Sequence, residues 1–295
     1  AHPKGGIMNI DVLSFGRLAY RVFEEVGQDA RVVLDDEGKN LVLRKIAGEC
    51  EKDLKVFKGN LKKQGYISEV KSVLSEFAQY GVDFERLDDF MKEVPPESYL
   101  HYKLDDIRTI YEKFEEYLSE KYITKEEMLD VLSDAVPYSD ILKGSVVAMD
   151  GFTGFTPVQN RLIGELFSVC EKVMITVTMD GRENPYVYEH PYQIFALGKQ
   201  MVTSLMKIAG EKKTEIEEPI CLFERPVYRF RDCSEMAFLE TELFRYSGAK
   251  YNGSCESVSL HEVRSPGKEA KYVAESIRRL VRTKGYRYRD IAVIA

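Results

Sequence analysis

The chain has 295 residues, of which 44% are apolar and 31% charged. That balance describes a globular protein: it is too apolar for a disordered tail and too charged for a membrane protein, and no run approaches the ~18–20 apolar residues a transmembrane helix needs. The net charge of −7, from 42 basic and 49 acidic residues, excludes a generic polyanion binder, so any nucleic-acid contact must be a local patch on an acidic molecule.

The length fits roughly two domains, or one large α/β domain with an insertion. The start, AHPKGGIMNID, has neither the apolar stretch nor the cleavage site of a leader peptide. Residues 10–13 (Ile-Asp-Val-Leu) are expected as a short strand, and Ser14 as the N-cap of a helix carrying Leu18, Val22, Phe23 and Val26 at helical spacing. Gly27 is a natural stop. The segment 31–44, around Asp35-Asp36-Glu37-Gly38, is expected to be hairpin-like or irregular.

From about 45 to 143 the texture changes to Lys, Glu, Leu and Tyr, with apolar residues three and four apart, as at Val70, Leu74 and Phe77 or Ile107, Ile110, Tyr111 and Phe114. Thr124 with Glu127 forms a capping-box pattern before Met128, Leu129 and Leu132. About four or five helices are expected, broken at Gly81 and at Pro95-Pro96. At Val146–Met149 the pattern becomes continuously apolar and ends in Asp150, the mark of a buried central strand. Thr156 then caps a helix with Pro157 at its first position, running to about Val169. A strand at 172–178 leads to Asp180. Helices are expected at 192–208 and 235–246, a strand at 257–263, and a helix from Ser265-Pro266 to about Lys284. The last residues, 290–295, read as a buried strand, which predicts a fragment of a longer polypeptide.

The five cysteines, Cys50, Cys170, Cys221, Cys233 and Cys255, have no CxxC spacing, and with four His no metal site is expected. Free thiols in a reducing cytoplasm fit better. Patterns for a phosphate loop (GxxxxGK[ST]), a dinucleotide fold (GxGxxG), a hydrolase elbow (GxSxG) and a zinc protease (HExxH) are absent from the sequence.

Three stretches can carry chemistry. In Met149-Asp150-Gly151-Phe152-Thr153-Gly154-Phe155-Thr156-Pro157, a strand ends in an acidic residue and a loop leads into a capped helix. That is the layout of a Walker B site, where the Asp holds Mg²⁺ and a following Glu activates water. Gly151 replaces that Glu, and the alternative is a strand-end Asp followed by a glycine turn. Around Ser14, residues Phe15, Arg17, Tyr20 and Arg21 occupy the first turns of a helix, suited either to phosphate and base contacts or to core packing with solvated arginines. Arg278, Arg279, Arg282, Lys284, Arg287 and Arg289, interleaved with Tyr286 and Tyr288, are either a single-strand contact or a solvated helix face.

Taken in order, these segments resemble a superfamily 1 helicase of the UvrD/RecB type. Leu13-Ser-Phe-Gly-Arg-Leu-Ala19 is similar to the family's Thr-Phe-His-x-x-Ala, which contacts single-stranded DNA. Met149-Asp-Gly-Phe-Thr-Gly-Phe-Thr-Pro-Val-Gln159 is similar to Val-Asp-Glu-Phe-Gln-Asp-Thr-x-x-x-Gln, matching at Asp150, Phe152 and Gln159 but lacking the catalytic Glu. After the next strand, Met179-Asp180-Gly181-Arg182 keeps only the Asp of Gly-Asp-x-x-Gln, and Gly267–Ala270 through Ile294 resembles the entry into the second motor domain. The degenerate pattern as a whole resembles the B subunits of AddAB-type ATP-dependent helicase/deoxyribonucleases.

The resemblance implies an α/β fold. It consists of an incomplete RecA-like (P-loop NTPase-like) parallel sheet, domain 1A, at 1–44 and 144–222, with a large inserted helical subdomain, 1B, at 45–143. The start of a second RecA-like domain, 2A, follows at 223–295. It also implies ATP, Mg²⁺ and a 4Fe-4S cluster held outside these residues, an A-type helicase/nuclease subunit as heterodimer partner, and DNA ends as substrate. The expected role is an ATPase-deficient, helicase-like module that binds and scans single-stranded DNA for the Chi signal during recombinational repair. Phe15, Arg17, Tyr20, Arg21, Phe152, Thr153 and Phe155 would contact DNA, and Asp150 and Gly151 would be the degenerate Walker B. The rivals are a hydrolysing motor whose phosphate loop lies upstream and a scaffold for the partner subunit.

Overall fold

The computed structural model describes residues 10–27, 31–61, 63–119, 121–225 and 227–294. Residues 1–9, to which the expected absence of a leader belongs, and Ala295 lie outside them. The chain forms two compact units, divided between Pro219 and Ile220.

The first unit begins with α1 (Phe15–Val26). Ser14 caps it, its hydroxyl accepting from the Arg17 amide at 3.4 Å, and Gly27 closes it in the left-handed region at φ 70°. Residues 10–13 form no strand. A strand exists only as a pairing, and no neighbour runs beside them among the described residues. The segment expected to be irregular instead holds β1 (Val32–Val33) and the start of α2 (Asp36–Cys50). Asp35 is an N-cap, accepting from Gly38 N at 2.7 Å, and Asp36 and Glu37 place negative charge in the first turn. A Cβ on Gly38 would lie 3.1 Å from both Asp35 and Leu34, so glycine lets the cap close tightly.

Four helices, α2, α3 (Gln64–Tyr80), α4 (Phe84–Lys92) and α5 (Tyr99–Leu118), enclose one apolar core that includes Leu43, Ile46, Ile67, Leu74, Ile110 and Phe114. Asp106 of α5 is 1% exposed and accepts from the amides of Lys55, Val56 and Phe57 at 2.7–2.8 Å. The carboxylate thus holds the loop after α2 against α5.

β2 (Tyr122–Ile123) pairs in parallel with β1 and leads to α6 (Glu127–Ala135). The Thr124–Glu127 pattern closes as a reciprocal pair: Thr124 N donates to the Glu127 carboxylate at 2.7 Å, and Glu127 N donates to the Thr124 hydroxyl at 3.2 Å. β3 (Val146–Met149) pairs in parallel with β4 (Lys172–Ile175), joined by α7 (Pro157–Val169). A second core gathers Val22 of α1, Leu132 of α6, and Leu162, Ile163 and Leu166 of α7 with Met149 of β3.

β3 is not a strand buried on both faces. Val146 and Ala148 are exposed while Met149 is buried, because β4 is its only neighbour among the described residues and one face alone is covered. β4 ends at Ile175 rather than 178 for the same want of a partner. α8 (Ala196–Lys212) starts later than 192, because Gln193 folds back to the amides of Glu189 and His190 and Phe195 takes a left-handed backbone at φ 62°.

The second unit carries α9 (Ser234–Glu242) and α10 (Pro266–Thr283), the latter capped by Ser265. α9 ends before 246, with Phe244 and Tyr246 at positive φ. The strand expected at 257–263 is absent: Glu235 takes the amides of Glu256 and Ser257 at its edge, and no strand pairs with residues 258–263 among the described residues. Residues 290–294 form no strand either. A short helical turn at 288–290 is pinned by the Arg287–Asp290 ion pair at 2.7 Å, which holds the Asp290 carboxyl below its usual range.

Candidate nucleic-acid interface

The loop after β3 meets the start of α1 through aromatic rings. The Phe15 and Phe152 ring centroids lie 5.7 Å apart, and Phe152 and Phe155 lie 5.0 Å apart. These tilted contacts join two segments far apart in sequence, and all three rings are half-buried against the second core. Gly151 makes the turn at φ 79°, a backbone region L side chains rarely adopt. The Thr156–Gln159 capping box then starts α7, with bonds of 3.0 and 3.3 Å. Thr153 and Gly154 are left exposed at the loop tip.

On α1, Arg17, Tyr20 and Arg21 are exposed, whereas Ala19 and Val22 are buried. Positions three and four apart share a helix face, so these three side chains form one outward patch while Phe15 belongs to the inward side. Tyr20 is 56% exposed and makes no ring contact with the phenylalanine cluster among the described residues. The Arg21 guanidinium pairs with the Asp11 carboxylate, both partly exposed. The structure therefore brings Phe15, Phe152 and Phe155 together and sets Arg17, Tyr20 and Arg21 on the adjoining outer face of the same helix.

The surroundings of Asp150 do not fit a magnesium–nucleotide site. Its carboxylate accepts from the Thr176 hydroxyl at the end of β4, Gly151 supplies no second acid, and no group of three or more His, Cys, Asp or Glu converges on a metal position among the described residues. Asp180 is engaged locally. Nearly buried, it accepts from the Arg182 amide at 2.9 Å and from its guanidinium at 3.0–3.1 Å. Sequence reasoning missed Thr176, which anchors Asp150, and Asn160, whose amide reaches the Phe155 carbonyl at 3.5 Å. Nothing in their spacing marks either. The basic stretch lies in the second unit, where Tyr286 and Tyr288 are 50% and 66% exposed and Arg287 is tied to Asp290. No helix among the described residues is long and apolar enough to cross a membrane.

Comparison with known proteins places the sequence in a family. The chain is 40% identical, over its whole length, to the B subunit of the ATP-dependent helicase/deoxyribonuclease of Lachnoclostridium phytofermentans. It is 36% identical over 98% of its length to the protein of the same name from Thermoanaerobacter sp. strain X514, and 32% identical over 98% to that from Clostridium acetobutylicum. It spans 26%, 25% and 24% of those relatives' own lengths, about a quarter of each. Residues 1–240 match the family described as ADDB, N-terminal, and with most of its residues inside that match the chain belongs to the AddB family.

Proposed function

We propose that the start of α1 and the 150–156 loop form a single-stranded DNA contact of a DNA-end-processing helicase/nuclease subunit. The observation that carries this reading is the Phe15–Phe152–Phe155 cluster, which fixes the loop beside a helix face bearing exposed Arg17, Tyr20 and Arg21. Phosphates would meet Arg17 and Arg21, and a base would stack on Tyr20 or on the exposed edge of the phenylalanine wall. The Thr153 hydroxyl and loop amides offer polar contacts to a base edge. The relatives are named as subunits of ATP-dependent helicase/deoxyribonucleases, and on that likeness this chain works with an A-type partner on DNA ends, scanning one strand for the Chi signal during recombinational repair. The fold that suits such a role is a partial RecA-like layer, β3–α7–β4, with the α2–α5 helices inserted before it. ATP hydrolysis is not part of this region's role, since Asp150 and Gly151 provide no water-activating acid.

Titration of a labelled oligonucleotide into the assembled complex, at two salt concentrations, tests the proposal. Arg17→Ala and Tyr20→Ala should each weaken single-strand binding or the Chi response by ~1–3 kcal/mol, the scale of one stacked base. Unchanged binding in both variants would leave the region as a scaffold for its partner.

A further inference from the structure

Six basic residues, Arg278, Arg279, Arg282, Lys284, Arg287 and Arg289, stand between 276 and 289 with no acidic residue among them, in a chain whose net charge is −7. The first three lie on α10 and are exposed. At about 3.6 residues per turn they share an arc of roughly 100°, opposite the half-buried Val273, Ile277 and Leu280, and Arg278 and Arg282 stand one turn apart, roughly 6 Å along the axis. The helix's own acids do not neutralise this arc: Glu275 sits 3.9 Å from Lys271, and Glu269 lies in the first turn. Arg225 and Arg231 of the same unit are paired, with Glu240 and Asp232, each at 3.4 Å. No ion pair or hydrogen bond engages the guanidiniums of Arg278, Arg279 and Arg282 among the described residues. Past the helix, Gly285 turns the chain at φ 74°, and Arg287 clasps Asp290, its amide donating to that carboxylate at 2.9 Å and its guanidinium at 2.7–3.2 Å. The clasp holds a short turn that presents Tyr286 and Tyr288, both exposed and without a ring or cation contact among the described residues. A helix C-terminus attracts cations to its last carbonyls. That accounts for Arg282 and Lys284, but not for two more free guanidiniums before the last turn or for two exposed phenol rings.

We propose that this face of α10 and the turn after it bind single-stranded DNA, with the three guanidiniums on neighbouring phosphates and Tyr286 or Tyr288 against a base. A polyanion is the ligand the charges call for: unpaired, permanently charged forks on an otherwise acidic molecule draw a phosphate backbone to one place, and the fork matches phosphate oxygens. The tyrosines select a single strand, because an exposed ring stacks on a base whose face is open, and the bases of a duplex cover one another's faces. The choice of DNA over RNA rests on the function proposed above. The site itself does not, since all its residues lie in the second unit and none belongs to the α1 contact.

Anisotropy of a labelled oligothymidylate titrated with the whole chain, over a range of salt concentrations, tests this. Arg278→Gln, Arg279→Gln and Arg282→Gln combined should lower the slope of log affinity against log salt by about 2, about 0.7 for each phosphate, and weaken binding at about 0.1 M salt at least about tenfold. The same three positions changed to Lys should keep the slope. Tyr286→Ala or Tyr288→Ala should weaken binding about fivefold or more with the slope unchanged, the mark of a lost stack rather than a lost charge. All five side chains are exposed, so each variant should keep the wild-type circular dichroism. No binding by the wild-type chain, an unchanged slope in the triple Gln variant, or tighter binding of a duplex of the same length would overturn the proposal. A loss in Arg17→Ala with none in the triple Gln variant would sink it while sparing the α1 contact, and the opposite pattern would spare this site and sink that one.

Discussion

Truncating Phe152 and truncating Arg17 should separate structure from recognition at the candidate interface. Phe152 is half-buried, packs against the second core, and touches Phe15 at 5.7 Å and Phe155 at 5.0 Å. A fully buried Phe→Ala change costs ~3–5 kcal/mol, so about half of that applies here, and two aromatic contacts at ~0.5 kcal/mol each raise the total to ~2.5–3.5 kcal/mol. Arg17 and Tyr20 are exposed and support no core; removing either should cost less than ~0.5 kcal/mol. Urea unfolding followed by far-ultraviolet circular dichroism measures these differences as midpoint shifts, read within the first unit because two compact units need not unfold together. The expected pattern is a large stability loss for Phe152→Ala with binding lost in proportion, and a binding loss without a stability loss for Arg17→Ala. A wild-type midpoint for Phe152→Ala, or an equal shift in Arg17→Ala and Phe152→Ala, would refute this division of roles.

Asp106→Ala removes the acceptor of three buried amides and should destabilise the helical core by ~3–5 kcal/mol, whereas Asp106→Asn, which keeps one acceptor oxygen, should cost about half as much by the same urea assay. Stability should depend on pH through Glu115: its carboxyl is raised from 4.5 to about 7 in the folded chain, so the folded state binds the proton more tightly. Stability should therefore fall as pH rises from about 4.5 to about 7 and level off above, by ~1–2 kcal/mol after allowing for water screening of the partly exposed group. Thermal melts across that window should show the slope in wild type and lose it in Glu115→Gln. Gly151→Glu meets no atom within 4 Å of its Cβ but must hold φ 79°, so it should cost ~1–2 kcal/mol, and it should not create a DNA-stimulated ATPase; a turnover of even ~1 s⁻¹ would contradict the reading of Asp150.

Helix ends are the most legible part of the fold, because caps are local. Ser14, Thr156-Pro157 and Ser265-Pro266 each start a helix, and Gly27 and Gly81 each end one, through bonds spanning only a few residues. Strands are the least legible. Residues 10–13, 257–263 and 290–294 have apolar patterns suited to a sheet, but a strand requires a neighbour that no local pattern supplies. Asp35-Asp36-Glu37-Gly38 misleads for a different reason: the residues that favour a turn also favour an N-cap followed by an acidic first turn, and only the later Val42, Leu43, Ile46 and Ala47 decide for the helix. At the candidate interface, spacing alone puts Phe15 in the first turn of one helix and Phe152 in the loop before another. Their contact is tertiary, as is the tie between Thr176 and Asp150.

That tie bears on what the 150–156 loop is able to do. A strand-end carboxylate that serves a metal must present free oxygens beside a second acid, but Asp150 is engaged by the neighbouring strand's Thr176 and followed by a glycine in the left-handed region. The backbone turn that Gly151 makes sends Phe152 inward to Phe15, and the loop then returns to α7 under a capping box. The same local geometry therefore disfavours an acid at 151 and builds an aromatic wall at 152 and 155. A hydrolytic site would need the reverse, an open carboxylate and a water held against it. The groups left exposed are a hydroxyl, loop amides, ring edges and, on the adjoining helix face, two arginines and a tyrosine. Such groups can bind, stack and pair with phosphate, which is what the single-strand contact proposed for this surface requires.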